Sequence, residues 1–265
     1  MAARRAAAYA ARNSKKHLST NFGDEGYWNE RYGSSAGDSY EWYLDIDVAT
    51  AILTPYLETE GDKSSRILVL GCGNSAFSAE LFGLGYRNIV NIDFSSIVIN
   101  EMQERYRHCQ GMQFLTMNVL NLGHFADSSI DFIFDKGCLD AVFCRTDGVD
   151  CVHNVCEQLS RVLVDKGTFI SVSYAQAAMR IPHYRKPVHF LWSCEPTNVL
   201  NKEKDCSYTC FICKKDVEKW SPAADDAAEQ GSSSSEEEEQ RGDADGEIEE
   251  EDDGEGEEGK EGVTQ

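Results

Sequence analysis

Short apolar runs, separated by glycine or polar residues, recur through the first two thirds of the chain. Five of them have the length and flanking residues typical of buried strands, at residues 67–70, 89–92, 112–117, 130–134 and 169–172. The pattern weakens after residue 172. There we predict the last two strands at 189–192 and 208–213, with irregular connections at 180–187 and 196–205.

Apolar residues at helical spacing fill the intervals between these runs. We predict a helix over residues 75–83 and a second helix that Ser95 or Ser96 caps and that includes Tyr106. A third is predicted from Val149 to Leu163, ended by Gly167. Because strands alternate with helices, the pattern predicts a parallel sheet with helices on both faces.

A glycine turn follows the first predicted strand, and an acidic residue ends the second. Residues 66–76 read Arg-Ile-Leu-Val-Leu-Gly-Cys-Gly-Asn-Ser-Ala, and Asp93 lies 22 residues after Gly71. Glycines at 71 and 73 let the backbone approach a ligand closely, and a carboxylate accepts hydrogen bonds from both ribose hydroxyls. The arrangement predicts a nucleoside-containing cofactor.

Two classes of cofactor fit this turn. Residues 71–76 also satisfy the permissive dinucleotide pattern, in which Ala76 replaces the third glycine. However, the chain offers one nucleotide-binding half rather than two, and no basic residue suited to a pyrophosphate follows Gly73. The sequence therefore favours S-adenosylmethionine over NAD.

Charge is distributed unevenly along the 265 residues. Residues 221–265 contain 19 acids and two bases, whereas residues 1–220 contain 27 acids and 23 bases. The acidic segment has no aromatic residue and too little apolar surface to offset its ordering entropy, so we predict disorder there. We expect a basic flexible extension at residues 1–23, one domain at 24–220 and a disordered acidic tail at 221–265.

Composition also limits the partners and the location of the protein. A nearly neutral domain with an acidic tail argues against a direct nucleic-acid partner, and no segment has the length and hydropathy of a membrane span. Residues 1–23 hold five bases and no acid, which fits either a mitochondrial presequence or a basic extension. We favour the extension, hence a cytoplasmic location with a mitochondrial one as the alternative, and we expect a monomer.

The ten cysteines predict neither disulfides nor a metal site. Most lie beside apolar neighbours, as Cys72 and Cys156 do, and no secretory signal precedes them, so reduced thiols are expected. In the predicted strand at 208–213, Cys210 and Cys213 point to opposite faces, which is poor geometry for zinc.

Each of the first four predicted strands is followed directly by a glycine or a polar residue: Gly71, Asp93, Asn118 and Asp135. Because ligands bind beyond the carboxyl ends of parallel strands, these positions predict one shared site. Asp93 fits the ribose, unless it caps the following helix. Asn118 and Val119 fit the adenine, although Asn118 also suits a turn.

Three charged residues near the fourth strand are candidates for binding or chemistry. Lys136 is suited to the carboxylate of the cofactor, although a lysine at this position is more often a solvated loop charge. Asp135 and Asp140 are suited to orienting an incoming amine, and Asp140 equally suits a surface helix position. Transfer from a sulfonium needs alignment of donor and acceptor more than a fixed catalytic dyad.

Six aromatic residues lie within 17 positions ahead of the first strand, at Tyr27, Trp28, Tyr32, Tyr40, Trp42 and Tyr43. They fit a plug at the end of the core. They also fit a cover over the cofactor and a cage around a lysine side chain, through cation–π attraction.

Several of these segments together resemble a known family. Tyr-Trp-x-x-Arg-Tyr, Glu-Trp-Tyr, Leu-Val-Leu-Gly-Cys-Gly-Asn-Ser, Asp-Phe-Ser-Ser and Asp-Lys-Gly-Cys-Leu-Asp-Ala are similar to segments of the seven-stranded methyltransferases. Among these, the resemblance is greatest to the protein-lysine methyltransferases of translation elongation factor 1-alpha. It runs from about Tyr27 to Val172, with Asn118, Phe94 and Cys138 in place of an aspartate, a tyrosine and a threonine.

The resemblance implies a single Rossmann-like class I methyltransferase domain with a seven-stranded, mostly parallel sheet. It implies S-adenosylmethionine as cofactor and a protein substrate, with elongation factor 1-alpha the leading candidate. It links residues 135–140, with Asp135 and Asp140, to activity. The cofactor-binding residues that the resemblance and the glycine turn imply are Trp28, Tyr32, Trp42, Gly71, Gly73, Asp93, Phe94, Asn118, Val119 and Lys136.

Three functions remain in competition at this point. The first is a protein-lysine N-methyltransferase, the second a non-catalytic interaction protein that uses the acidic tail, and the third a small-molecule methyltransferase. The presence of both Asp93 and Lys136 favours an enzyme, because a scaffold need not retain them.

Overall fold

The computed structural model describes residues 21–201 and 205–220. The predictions for most of the basic extension and for the whole acidic tail concern residues outside these ranges. Phe22 falls at the end of the predicted extension, yet its ring lies 6.1 Å from that of Trp28 and its carbonyl accepts a hydrogen bond from the Trp28 indole. Phe22 therefore packs with the folded domain.

A seven-stranded sheet forms the centre of the molecule. Its strands are β1 (Ile67–Leu70), β2 (Ile89–Asp93), β3 (Met112–Thr116), β4 (Ile130–Lys136), β5 (Leu163–Ser173), β6 (Trp192–Asn201) and β7 (Cys206–Lys215). They lie in the order β3-β2-β1-β4-β5-β7-β6. The first five are parallel, and β7 runs antiparallel to both β5 and β6. The predicted fold, a mostly parallel seven-stranded sheet, is confirmed.

Helices cover both faces of this sheet. They are α1 (Glu25–Ser34), α2 (Ile46–Thr59), α3 (Phe77–Gly83), α4 (Ser96–Arg105), α5 (Cys138–Phe143), α6 (Gly148–Val162), α7 (Ala177–Tyr184) and α8 (Pro187–Phe190). Alternate strand residues enter separate core layers, since Ile67 and Val69 pack in one and Leu68 and Leu70 in the other. Strands buried on both faces explain the continuous apolar runs in the sequence.

The predictions after β5 were partly wrong. Residues 187–190 form the short helix α8 rather than a strand, and β6 occupies Trp192–Asn201, most of which was predicted to be irregular. β6 is an edge strand that pairs only with β7, so it tolerates Pro196, which has no N–H to donate. The sequence of β6 mixes polar and apolar residues, so it lacks the apolar run that identified the five parallel strands.

Two helix predictions also need correction. Residues 177–184 form α7, although Pro182 and its neighbours suggested an irregular segment, and the helix is held by the fully buried ring of Tyr184. Helix α6 ends at Val162, before Gly167, because β5 already begins at Leu163 and pairs there with Ile130. Gly167 lies within β5.

Cys210 and Cys213 lie as predicted from the alternation of side chains along β7. Cys210 packs in one core layer and Cys213 in the other, on opposite faces of the sheet. All ten cysteines fall within the described residues and are free thiols. Within residues 21–201 and 205–220, no helix has both the length and the apolar character needed to cross a membrane.

Candidate active site

A cavity of about 670 Å³ opens beyond the carboxyl ends of the parallel strands. Its walls come from the segments that follow β1, β2, β3 and β4, and from the aromatic segment that precedes α2. Eleven of the twelve residues predicted from the sequence line it: Trp28, Tyr32, Trp42, Gly71, Gly73, Asp93, Phe94, Asn118, Val119, Lys136 and Asp140. Asp135 does not.

The glycine turn needs glycine for two reasons. Gly71 and Gly73 have φ angles of 53° and 51°, in the left-handed region that disfavours side chains. A Cβ on Gly71 would lie 2.7 Å from the Cβ of Cys138, and one on Gly73 would lie 2.8 Å from the Tyr32 hydroxyl oxygen. Because these two glycines have no side chain, Cys138 and Tyr32 can pack against the turn and close the floor of the cavity.

Asp93 ends β2 with its carboxylate on the cavity and only 5% of its surface exposed. One carboxylate oxygen accepts a hydrogen bond from the Gly73 amide at 3.0 Å, and the other from the Ser95 amide at 2.9 Å. Burial raises the pKa of Asp93 to about 6, against the lowering effect of these two amides. The carboxylate therefore ties the glycine turn to the start of α4, and it is ionised at neutral pH.

Asn118 and Val119 lie where the chain leaves β3. The Asn118 side-chain oxygen accepts a hydrogen bond from the Leu120 amide at 2.9 Å. Asn118 therefore forms a turn, which was one of the two roles predicted for it. It also lines the cavity, next to the buried side chain of Val119. Together with Phe94, they form a mainly apolar slot beside Asp93.

Lys136 is held by a partner that the sequence did not reveal. Its ammonium lies 2.9 Å from a carboxylate oxygen of Glu41 and 3.0 Å from the Trp42 carbonyl. The Lys136 and Glu41 side chains are only 8% and 14% exposed. Glu41 also accepts hydrogen bonds from the Ser75 hydroxyl and the Ala76 amide. Glu41 thus joins the aromatic segment, the glycine turn and β4.

The prediction that Asp135 orients a substrate amine needs correction, because its carboxylate faces away from the cavity. One oxygen accepts hydrogen bonds from the amides of Cys138 and Leu139, and the other from the Ser171 hydroxyl at 2.7 Å. The side chain is 1% exposed, and burial raises its pKa to about 7. Asp135 caps the first turn of α5 and connects it to β5.

Asp140 lines the cavity, on the first turn of α5. One of its oxygens accepts hydrogen bonds from the Tyr43 hydroxyl and the Tyr174 amide, both at 2.9 Å. The other accepts from the Ser173 hydroxyl at 2.6 Å and forms an ion pair with Arg180 at 2.9 Å. Asp140 therefore fixes three segments around the mouth of the cavity, at Tyr43, at Ser173 and Tyr174, and at Arg180.

Aromatic side chains lie around the cavity in two groups, which the contact between Trp42 and Tyr43 connects. Trp28 stacks on Tyr32 at 5.7 Å above the glycine turn, and the Arg31 guanidinium lies 4.9 Å from the Trp42 ring centroid. On the Asp140 side lies a second group, which we call the tyrosine cluster and which consists of Tyr43, Tyr174 and Tyr208. The aromatic segment packs against the core and also lines the cavity. The predicted plug at the end of the core is confirmed, whereas the cover over the cofactor and the cage around a lysine stay predictions.

The side chains of the cavity suit S-adenosylmethionine by their chemistry. A buried carboxylate at Asp93 matches ribose hydroxyls, and the slot of Phe94 and Val119 matches a flat adenine ring. Lys136 would approach the carboxylate of the cofactor, and aromatic faces suit a positively charged sulfur. Among the described residues, no group of three or more histidine, cysteine or acidic side chains could hold a metal ion.

Comparison with known proteins identifies relatives. Residues 61–228 match the family described as a methyltransferase domain. The chain is 39% identical to EEF1A lysine methyltransferase 4 of Bos taurus, over 63% of this chain and 67% of that protein. It is 35% identical to the human eEF1A lysine and N-terminal methyltransferase, over 60% of this chain and 22% of that protein.

A solved structure shares the fold at lower similarity. The N-methyltransferase NodS of Bradyrhizobium japonicum, in complex with S-adenosyl-L-homocysteine, superposes with a TM-score of 0.55 and 15% identity, over 71% of this chain and 98% of that one. At this identity the likeness concerns the fold alone. The family match covers more than half of the sequence and confirms the predicted activity and cofactor, methyl transfer from S-adenosylmethionine. The chain belongs to the methyltransferase domain family.

Proposed function

We propose that this protein transfers methyl groups from S-adenosylmethionine to lysine side chains of translation elongation factor 1-alpha. The observation that carries the proposal is its 39% identity, over 67% of the relative's length, to a protein named EEF1A lysine methyltransferase 4. The geometry supports it, because the cavity extends from the buried carboxylate of Asp93 to the aromatic residues around Asp140.

The residues at the inner end would hold and orient the cofactor. Asp93 would accept hydrogen bonds from the ribose, Val119 and Phe94 would enclose the adenine, and Lys136 would attract the carboxylate. When bound, the cofactor supplies an electrophilic methyl group on a positively charged sulfur. Trp28 and Trp42 cover the turn and exclude water from the reacting centre.

The outer end must receive a lysine as the neutral amine, because only the unprotonated nitrogen has a free electron pair. Asp140 is paired with the Arg180 guanidinium, so this carboxylate is compensated and does little to stabilise the ammonium form. Aromatic walls and a neighbouring cation both favour the neutral amine. The rate is therefore expected to rise with pH across the neutral range.

The test is a methylation assay with purified elongation factor 1-alpha and isotope-labelled cofactor, followed by mass spectrometry of the substrate. We expect label on lysine, and much less of it when Asp93→Asn enzyme is used at limiting cofactor. Asp140→Asn should lower turnover while leaving affinity for the cofactor product unchanged. Label on arginine or on a carboxylate would contradict the proposal, as would label confined to a small metabolite.

A further inference from the structure

The tyrosine cluster lies at the outer end of the cavity, on the side away from the glycine turn. The ring centroid of Tyr43 lies 5.0 Å from that of Tyr208 and 6.4 Å from that of Tyr174. Tyr174 and Tyr208 are 6.2 Å apart. The three rings therefore form one continuous aromatic face, of which Tyr43 and Tyr174 border the cavity.

Tyr43 is fixed rigidly within this face. Its φ angle is 60°, a left-handed conformation that is costly for an aromatic residue. Its carbonyl accepts a hydrogen bond from Asn201 at 2.8 Å, and its hydroxyl donates to Asp140 at 2.9 Å. Burial and the Asp140 carboxylate raise the pKa of the Tyr43 hydroxyl, which stays protonated and keeps donating this bond. The ring is thus held in place before any substrate arrives.

Tyr174 differs from the other two, because 68% of its surface is exposed although it directly follows the buried strand β5. Its backbone amide is anchored on Asp140 at 2.9 Å, so the ring stands at a defined place on the cavity rim. Within the described residues, no other phenylalanine, tyrosine or tryptophan side chain has so large an exposed fraction. Folding of the domain does not account for an apolar ring in this position.

We propose that Tyr174, backed by Tyr43, contacts the aliphatic side chain of the acceptor lysine and thereby determines how well the protein substrate is used. The inference rests on the proposed function and adds the residue that receives the acceptor. Four methylene groups match a flat aromatic wall, and the ring face attracts the ammonium of the incoming lysine before it loses its proton. Asp140 and Arg180 border the same rim and limit where the amine can lie.

The experiment compares three variants in steady-state methylation of elongation factor 1-alpha. Tyr174→Ala should raise KM for the protein substrate about 5- to 30-fold, the range of an aromatic contact with a cation, with a much smaller change in kcat. Tyr174→Phe should behave like the wild type, because it keeps the ring. Met179→Ala is the matched control, since Met179 is 62% exposed, lies on the neighbouring helix α7 and does not border the cavity.

A binding measurement provides a readout that does not depend on turnover. With S-adenosylhomocysteine at saturation, the complex of enzyme and elongation factor should dissociate more readily for Tyr174→Ala than for the wild type or Met179→Ala. The melting temperature and the affinity for S-adenosylhomocysteine should stay unchanged. An unaltered KM, an equal effect of Met179→Ala, or a loss of cofactor affinity in Tyr174→Ala would overturn the assignment.

The two proposals fail in different ways. If the wild type transfers no methyl group to elongation factor 1-alpha lysines, the proposed function falls, and the role of Tyr174 falls with it. If the wild type is active and Tyr174→Ala is indistinguishable from it, only the role of Tyr174 is wrong.

Discussion

The buried carboxylate of Asp93 links the chemistry of a single residue to cofactor binding. Because burial holds its pKa near 6, protonation below that pH removes a charged acceptor from the ribose site. Affinity for S-adenosylhomocysteine, measured by calorimetry, should therefore be constant from pH 7 to 8 and fall as the pH drops through about 6. Asp93→Asn should weaken binding by about 1.5–3 kcal/mol and abolish this pH dependence.

A control variant separates this effect from general acid sensitivity. Asp150→Asn changes an exposed aspartate on α6 that does not line the cavity, so it should leave the pH profile of the wild type intact. Wild-type affinity that stays constant between pH 5 and 8 would show that Asp93 does not contact the ligand in its ionised form.

The Lys136–Glu41 ion pair gives a second prediction at this scale. Lys136→Met removes the ammonium that lies against the largely buried Glu41 carboxylate, and should lower the free energy of unfolding by about 3 kcal/mol. The double change Lys136→Met with Glu41→Gln should recover most of that loss in chemical denaturation. Cofactor affinity should stay weak in both variants, because both lack the ammonium. Equal stability of the single variant and the wild type would contradict the structural part of this prediction.

Sequence reasoning placed Asp93 at the site because it directly follows an apolar strand, whereas Lys136 was added by the family resemblance; both line the cavity. It missed Glu41, whose partner lies 95 positions away in the chain. A contact over that separation has no local signal. The substrate-orienting role predicted for Asp135 was wrong for a related reason. Asp135 does lie at a strand end, but the direction of its side chain depends on the turn into α5.

Among the elements, α5 depends on a carboxylate cap that responds to pH. Burial holds the pKa of Asp135 near 7, above its usual range, so the folded state favours the protonated form. The contribution of protonated Asp135 to the free energy of unfolding is complete below about pH 4. It is lost as the pH rises through about 7. Asp135→Asn keeps an oxygen for the Cys138 and Leu139 amides and an NH2 group for Ser171. It should therefore melt at a temperature less dependent on pH.

The remaining pH dependence should come from Asp93, whose pKa is also raised. Asp135→Ala serves as the contrast, because it leaves two amides without an acceptor and should melt at a lower temperature at every pH. Since the Asp135 carboxylate does not face the cavity, Asp135→Asn should retain turnover. Loss of turnover with an intact melting transition would restore a catalytic role for Asp135.

The elements themselves were predictable to different degrees. The strands β1, β2, β3 and β4 were located to within two residues, because their apolar runs end sharply at glycine or polar positions. The edge strand β6 escaped prediction, because it is half solvated and contains Pro196, and its order comes from pairing with β7. Tertiary pairing of this kind outweighs local propensity.

At the scale of the whole molecule, charge separates the domain from the residues that follow it. Because residues 221–265 carry 19 acids and no aromatic residue, they are not expected to stabilise the core. A chain that ends at Trp220 should melt cooperatively at the wild-type temperature and bind S-adenosylhomocysteine with unchanged affinity. Any effect of the acidic segment should appear in KM for the protein substrate and fade with added salt. Loss of the cooperative transition in the shortened chain would contradict this division.

The central claim is that the cavity beyond β1, β2 and β4 binds the nucleoside of S-adenosylmethionine through Asp93. Calorimetric titration of the purified protein with S-adenosylhomocysteine, and separately with NAD, tests it most directly. We predict saturable binding of one S-adenosylhomocysteine per chain, strongly weakened in Asp93→Asn, and no heat of binding with NAD. Saturable binding of NAD, together with no binding of either methyl-cofactor form, would contradict it.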